Sequence, residues 1–144
     1  MDNLHGYYLE DLEVGMSDSF AKTISEADVY GFAGISGDTN PVHINEEYAA
    51  TTPFGQRIAH GMLSAALIST VAGTKLPGPG AIYVDQQIKF KAPLFIGQTA
   101  RAEITVKEIN ERRRRVLCDT NVYVGDKVIA TGEATFMVDA RPEA

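Results

Sequence analysis

The chain has 144 residues, 44% hydrophobic and 22% charged, with a formal net charge of -6 at pH 7. That length is enough for one real core and not two, so residues 1–144 read as a single folded domain, not a disordered chain. The acidic balance argues against nucleic acid as a partner, because phosphate binding needs a basic face. The single cysteine, Cys118, excludes an internal disulfide framework and a cysteine-rich metal site, and its place in the alternating run "RVLCDTNVYV" makes it a small core residue.

The first residues, "MDNLHGYYLEDLEVGM", lack a basic stretch followed by an apolar one. No signal peptide is therefore expected, and a cytoplasmic protein is the default. His5 falls in this segment, which is expected to be a mobile tail without a role. The most apolar run, "IAHGMLSAALISTVAG", is too short and too interrupted by Ser and Thr for a membrane span of ~20 residues.

Along the chain, a short strand is expected at Ser17–Thr23. Ser25 followed by Asp28 forms a capping-box signature, with Val29, Phe32, Ala33 and Ile35 as a helical apolar stripe behind it. Gly34 and Gly37 limit that helix, and Asn40-Pro41 breaks the chain again. A helical turn follows through "NEEYAATT", with Asn45 as its cap.

From Arg57 to Thr74 the only Lys, Arg, Asp or Glu is Arg57 itself, and Ile58, Met62, Ala65, Ala66, Leu67 and Val71 surround much of the run. This predicts a long helix buried nearly all round. "KLPGPG" stops it.

The remainder alternates with period two. Ile82, Val84, Ile88 and Phe90 form one apolar set. Ala100, Ala102, Ile104 and Val106 form the next, followed by Val116, Cys118, Val122 and Val124. Val128, Ala130, Ala134, Phe136 and Val138 form the last. Each set predicts a half-buried strand of an antiparallel sheet, with "VGDK" as a tight hairpin. One sheet with one apolar face and one long buried helix make an α+β protein. Its sheet wraps around the central helix, with the earlier short helices as an extra overhang. That architecture is the hot-dog fold, and its open edges favour a homodimer.

The run "GISGDTNPVHINEEYA" resembles the signature of the MaoC-like, (R)-specific enoyl-CoA hydratase family: small-Gly-Asp-x-Asn-Pro-hydrophobic-His. The similarity continues through "RIAHGMLSAALIS", "LPGPGAIYVDQQIKFKAPLFIGQTARAEITV" and "VIATGEATF", from about Leu12 to Val138. The resemblance implies reversible hydration of trans-2-enoyl-CoA to (R)-3-hydroxyacyl-CoA, in fatty acid metabolism or the supply of polyhydroxyalkanoate precursors. It implies no metal and no organic cofactor, coenzyme A being part of the substrate. By position, Asp38 and His43 become the catalytic pair and Gly61 the backbone donor to the thioester oxygen. Ser69 matches a serine found near the pair in bacterial members. Asn40 is expected to lock the loop through backbone bonds.

The chemistry wants these residue types independently. Adding water to an unsaturated thioester needs a group that takes a water proton and one that protonates C2, and a carboxylate with an imidazole can hold one water between them. The developing enolate oxygen needs preorganised donors, which the first turn of a helix supplies. His60 is read as a positioning residue. The basic run Arg112–Arg115 is a solvated hairpin end, or, with Lys89 and Lys91, a contact for coenzyme A phosphates. The small residues Ala65, Ala66, Ser69 and Ala72 would either leave a groove for the acyl tail or let the sheet pack closely against the helix.

Three other functions fit the same fold. A carrier-protein dehydratase shares the chemistry, although an acidic carrier protein is disfavoured by the charge of -6. A thioesterase would not need Asp38 and His43 at this spacing. A non-catalytic acyl-CoA-binding subunit would be expected to lack one of them.

Overall fold

The computed structural model describes residues 4–143. Strand β1 is Ser17–Thr23, and helices α1 (Glu26–Ser36), α2 (Pro41–Ile44), α3 (Glu46–Ala50) and α4 (Gly61–Thr74) follow. Strands β2 (Ile82–Phe90), β3 (Thr99–Asn110), β4 (Arg115–Val124) and β5 (Lys127–Met137) complete the chain. All neighbours pair antiparallel in the order β1-β3-β4-β5-β2. α4 packs across β3 and touches β1, β4 and β2. This is the expected hot-dog arrangement, with α1 to α3 as the overhang.

The core follows from alternation. Ala100, Ala102, Ile104 and Val106 of β3 and Val116, Cys118, Thr120 and Val122 of β4 are all buried. The two alanines let α4 approach β3 closely, and Leu63, Leu67, Ile68 and Val71 fill the contact from the helix side. Each such aliphatic side chain contributes about 1.5–3 kcal/mol when fully buried. Burial pushes the Cys118 thiol up to about 12, so it behaves as a core residue and not as a nucleophile.

Local signals hold where they are local. Ser25 accepts from the Asp28 N–H while Asp28 accepts from the Ser25 N–H, closing the capping box of α1. Gly37 ends α1 with φ 77°, a left-handed position that favours glycine. Gly125-Asp126 turns β4 into β5.

Five expectations are corrected. α4 begins at Gly61, not near Arg57: Ile58 forms a bridge with Phe95, and the Ala59 N–H donates to the Leu94 carbonyl. That pairing draws residues 57–60 out into extended chain. α4 is also not buried all round, since Met62 is 58% exposed and Ala66 and Ser69 face outward.

In β2 a bulge between Tyr83 and Asp85 breaks the alternation. Tyr83 packs on Phe136 while Ile82, Val84 and Phe90 stay exposed on this edge strand. A second bulge at Val122/Tyr123 turns Val128 outward and buries Ile129 in its place.

The His5 segment is docked, not mobile. Gly6 and Tyr7 donate to the carbonyls of Pro79 and Pro77, Leu9 donates to Asp139, and His5 stacks on Tyr8.

Candidate active site

The overhang carries the polar loop. Asn40 caps α2 by accepting the Val42 N–H at 3.1 Å, with Pro41 at the first helical position, where a missing N–H costs nothing. Asn40 therefore locks the loop through the backbone, as its residue type suggests. Asp38 Oδ1 accepts the Asn40 N–H at 3.2 Å and so also closes a turn. Its side chain stays exposed.

His43 lies on α2 and is 7% exposed. Its Nδ1–H donates to the Ile58 carbonyl at 2.7 Å, which fixes the tautomer and leaves the Nε2 lone pair open. Burial lowers the pKa of His43 below the ordinary histidine value. The neighbouring His60 adds to that shift, while the Ile58 carbonyl and the Asp38 carboxylate oppose it.

His60 is buried and stands at the cap of α4. Its Nε2–H donates to the Asp38 carbonyl at 2.8 Å, and its ring stacks on His43 with centroids 3.8 Å apart. One side-chain donor atom of each of Asp38, His43 and His60 lies within 4.8 Å of the other two. The loop thus brings the Asp38 carboxylate and the His43 imidazole together, with His60 behind them.

Gly61 is the first residue of α4. The N–H groups of Gly61 and Met62 precede the first intrahelical bond, and among the described residues neither meets an acceptor. Both residues are exposed and stand at the positive end of the helix dipole. A side chain at Gly61 would crowd the Phe90 ring, at 3.1 Å from an added Cβ.

A cavity of about 310 Å³ opens beside Gly61 and is lined also by Phe54, Ser64, Phe90 and Lys91. It meets the Asp–His pair through His60 and Ile58, which line it and each bond one of the two. Ser64, only 3% exposed, went unsingled in the sequence because a serine within an apolar helix carries no local signal.

Ser69 lies about two turns beyond Gly61, on the exposed side of α4, and makes no hydrogen bond to Asp38 or His43. Ala72 is a core residue, and Ala66 lines a shallow groove against α1 instead of the cavity at Gly61. Among the basic candidates Lys91 lines that cavity. Arg115 lines a different depression with Val14, Ile109 and Leu117.

An antiparallel sheet wrapped around one helix, with a helical overhang carrying an Asp–His pair, defines a hot-dog protein. The MaoC like domain model matches residues 13–130. The chain belongs to the MaoC-like family. It is 57% identical over 140 residues to the (R)-specific enoyl-CoA hydratase of Rhodospirillum rubrum, covering 97% of each chain. It is 48% identical over 144 residues to the 3-hydroxybutyryl-CoA dehydratase of Methylorubrum extorquens, covering 100% of this chain and 92% of that one. The unliganded R-hydratase structure from Pseudomonas aeruginosa matches with a TM-score of 0.88 at 43% identity, over 93% of this chain and 86% of that one.

Proposed function

We propose that the chain is an (R)-specific enoyl-CoA hydratase, a hydro-lyase that reversibly adds water to trans-2-enoyl-CoA. The observation that carries this reading is the Asp38 carboxylate within 4.8 Å of a His43 ring nitrogen, with His60, which bonds the Asp38 carbonyl, leading directly into the free N-terminus of α4.

The steps follow from the donor set. Burial lowers the His43 pKa and so favours the neutral imidazole, whose Nδ1–H is spent on the Ile58 carbonyl, leaving Nε2 as an acceptor. A water held between His43 and Asp38 loses a proton to the pair as its oxygen bonds to C3. The C2=C3 electrons move toward the thioester, and the enolate oxygen is stabilised by the Gly61 N–H. The proton taken from water then passes from the pair to C2, which regenerates the pair. Because H and OH both come from the side occupied by the pair, the addition is syn.

The substrate we favour is the coenzyme A thioester, with Lys91 at the cavity as the contact for its phosphates. The carrier-protein thioester is the alternative. No cofactor is needed for the steps above.

We further propose a homodimer joined along the β2 edge, where Ile82 and Val84 are 56% and 46% exposed. The setting we propose is the cytoplasm, in fatty acid metabolism, where the product would also feed polyhydroxyalkanoate synthesis. No helix among the described residues is long and apolar enough to cross a membrane.

The test is loss of the conjugated enoyl-thioester absorbance over a chain-length series, with the product enantiomer determined. (R)-3-hydroxyacyl-CoA is the expected product. The (S) enantiomer, or free thiol released without hydration, contradicts the reading.

A further inference from the structure

Arg57 is 6% exposed, yet it is the residue that ties the overhang together. Its Nε–H donates to the His43 backbone carbonyl at 2.8 Å. Its Nη1 donates to Glu26 Oε1 at 2.6 Å and lies 3.9 Å from Glu46 Oε2. Its guanidinium also lies over the Tyr30 ring, 5.0 Å from the centroid. Glu26 and Glu46 are the first residues of α1 and α3, and His43 stands in the last turn of α2. One side chain therefore joins three helices around the imidazole.

The backbone beside Arg57 completes the grip. The Ile58 N–H donates to the Val42 carbonyl at 3.3 Å, and the Ile58 carbonyl accepts from the His43 ring at 2.7 Å. Ile58 and Ala59 are themselves held by Phe95 and Leu94. His43 is thus held at its carbonyl by Arg57 and at its ring by the next residue. α2 has only four residues, so its last carbonyls cannot be satisfied within the helix and need an outside donor.

Resting on the hydratase reading, we propose that Arg57 is a positioning residue for the reaction, clamping the His43 carbonyl so that the open Nε2 stays aimed at the water shared with Asp38. The planar guanidinium is suited to this because its separate N–H groups reach His43 and Glu26 at once. A lysine ammonium is a point donor on a flexible stem and cannot keep both bonds in the same geometry.

The experiment compares Arg57→Lys, Arg57→Met and Glu26→Gln with the wild type and with His43→Ala. The readouts are kcat and KM on a short trans-2-enoyl-CoA and the proton NMR signal of the His43 Nδ1–H. A ring N–H bonded to a carbonyl at 2.7 Å is expected downfield and protected from exchange.

We expect Arg57→Lys to lose at least ~10-fold in kcat, with KM within ~3-fold and the His43 signal shifted or broadened, as for a group removed from the transition state only. Glu26→Gln keeps the Arg57–His43 bond and should lose less, which covers the case in which Arg57→Met fails to fold. Wild-type kcat and an unmoved His43 signal in a folded Arg57→Lys protein would overturn the proposal. Full turnover by His43→Ala would instead overturn the hydratase pair itself, so the two failures are distinguishable.

Discussion

His60 donates from Nε2 to the backbone carbonyl of Asp38 at 2.8 Å, so the loop that carries the carboxylate hangs from the cap of the helix that carries Gly61. The same ring stacks on His43 at 3.8 Å. One buried side chain therefore sets the relative positions of the carboxylate, the imidazole and the helix N-terminus. Replacing His60 with Phe keeps the stack and removes the donor. The expected result is a folded protein with reduced kcat, because the Asp38 carbonyl loses its anchor. Unchanged kcat in His60→Phe would mean the loop holds itself.

The pH dependence follows from His43. Asp38 and His60 are the titratable groups facing it, and Arg57 bonds its carbonyl. With its folded pKa lowered, the acid limb of kcat/KM should fall below the ordinary value of about 6.5. The sign for stability is the same. Between the folded and unfolded pKa values the unfolded chain binds more protons, so this contribution is present above ~6.5 and lost as pH falls toward the folded value. An acid limb above the ordinary histidine value would contradict the neutral resting imidazole.

Gly61→Pro tests the oxyanion donor without disturbing the helix start. Proline suits the first helical position, and His60 already has φ -59° and ψ 136°, the extended conformation a following proline requires. The N–H is lost, and the Phe90 ring, 3.1 Å from an added Cβ, must give by a few tenths of an ångström. With folding confirmed, a loss of ~100–1000-fold in kcat is expected, in line with removal of one such donor. Retained turnover would move the oxyanion site elsewhere.

The homodimer is checked by sedimentation. Val84, 46% exposed on the β2 edge, is the residue to change: Val84→Lys should shift the protein toward monomer and lower activity with it. A wild-type monomer that is stable and active at micromolar concentration would rule out the dimer as the working form.

Much of this was legible in the sequence, for identifiable reasons. β3 alternates cleanly from Ala100 to Val106 because those residues face the core, and the caps at Ser25, Asn40 and Asn45 depend only on residues within the next turn. What escaped depends on distant chain. The start of α4 was misplaced because Leu94 and Phe95 hold residues 58 and 59 extended. The face of α4 with Met62 and Ser69 reads as buried because it has no charge, yet within one chain it is open. β2 misleads because a bulge changes which side its apolar residues face. For the site, the structure brings Asp38 and His43 within 4.8 Å of each other, makes Asn40 the cap of α2 and starts α4 at Gly61. Arg57 was passed over as the last charge before an apolar run, and that isolation was the available signal.

The central claim is that Asp38 and His43 act on one water as a unit. The direct measurement is kcat for Asp38→Asn, His43→Ala and the double variant on a short trans-2-enoyl-CoA, with folding confirmed for each. Each single change should cost at least ~100-fold, the low end for a general acid or base, and the double variant should be little worse than either. Near-normal turnover in folded Asp38→Asn, or losses that multiply in the double variant, would contradict the shared water and leave Asp38 as a turn residue.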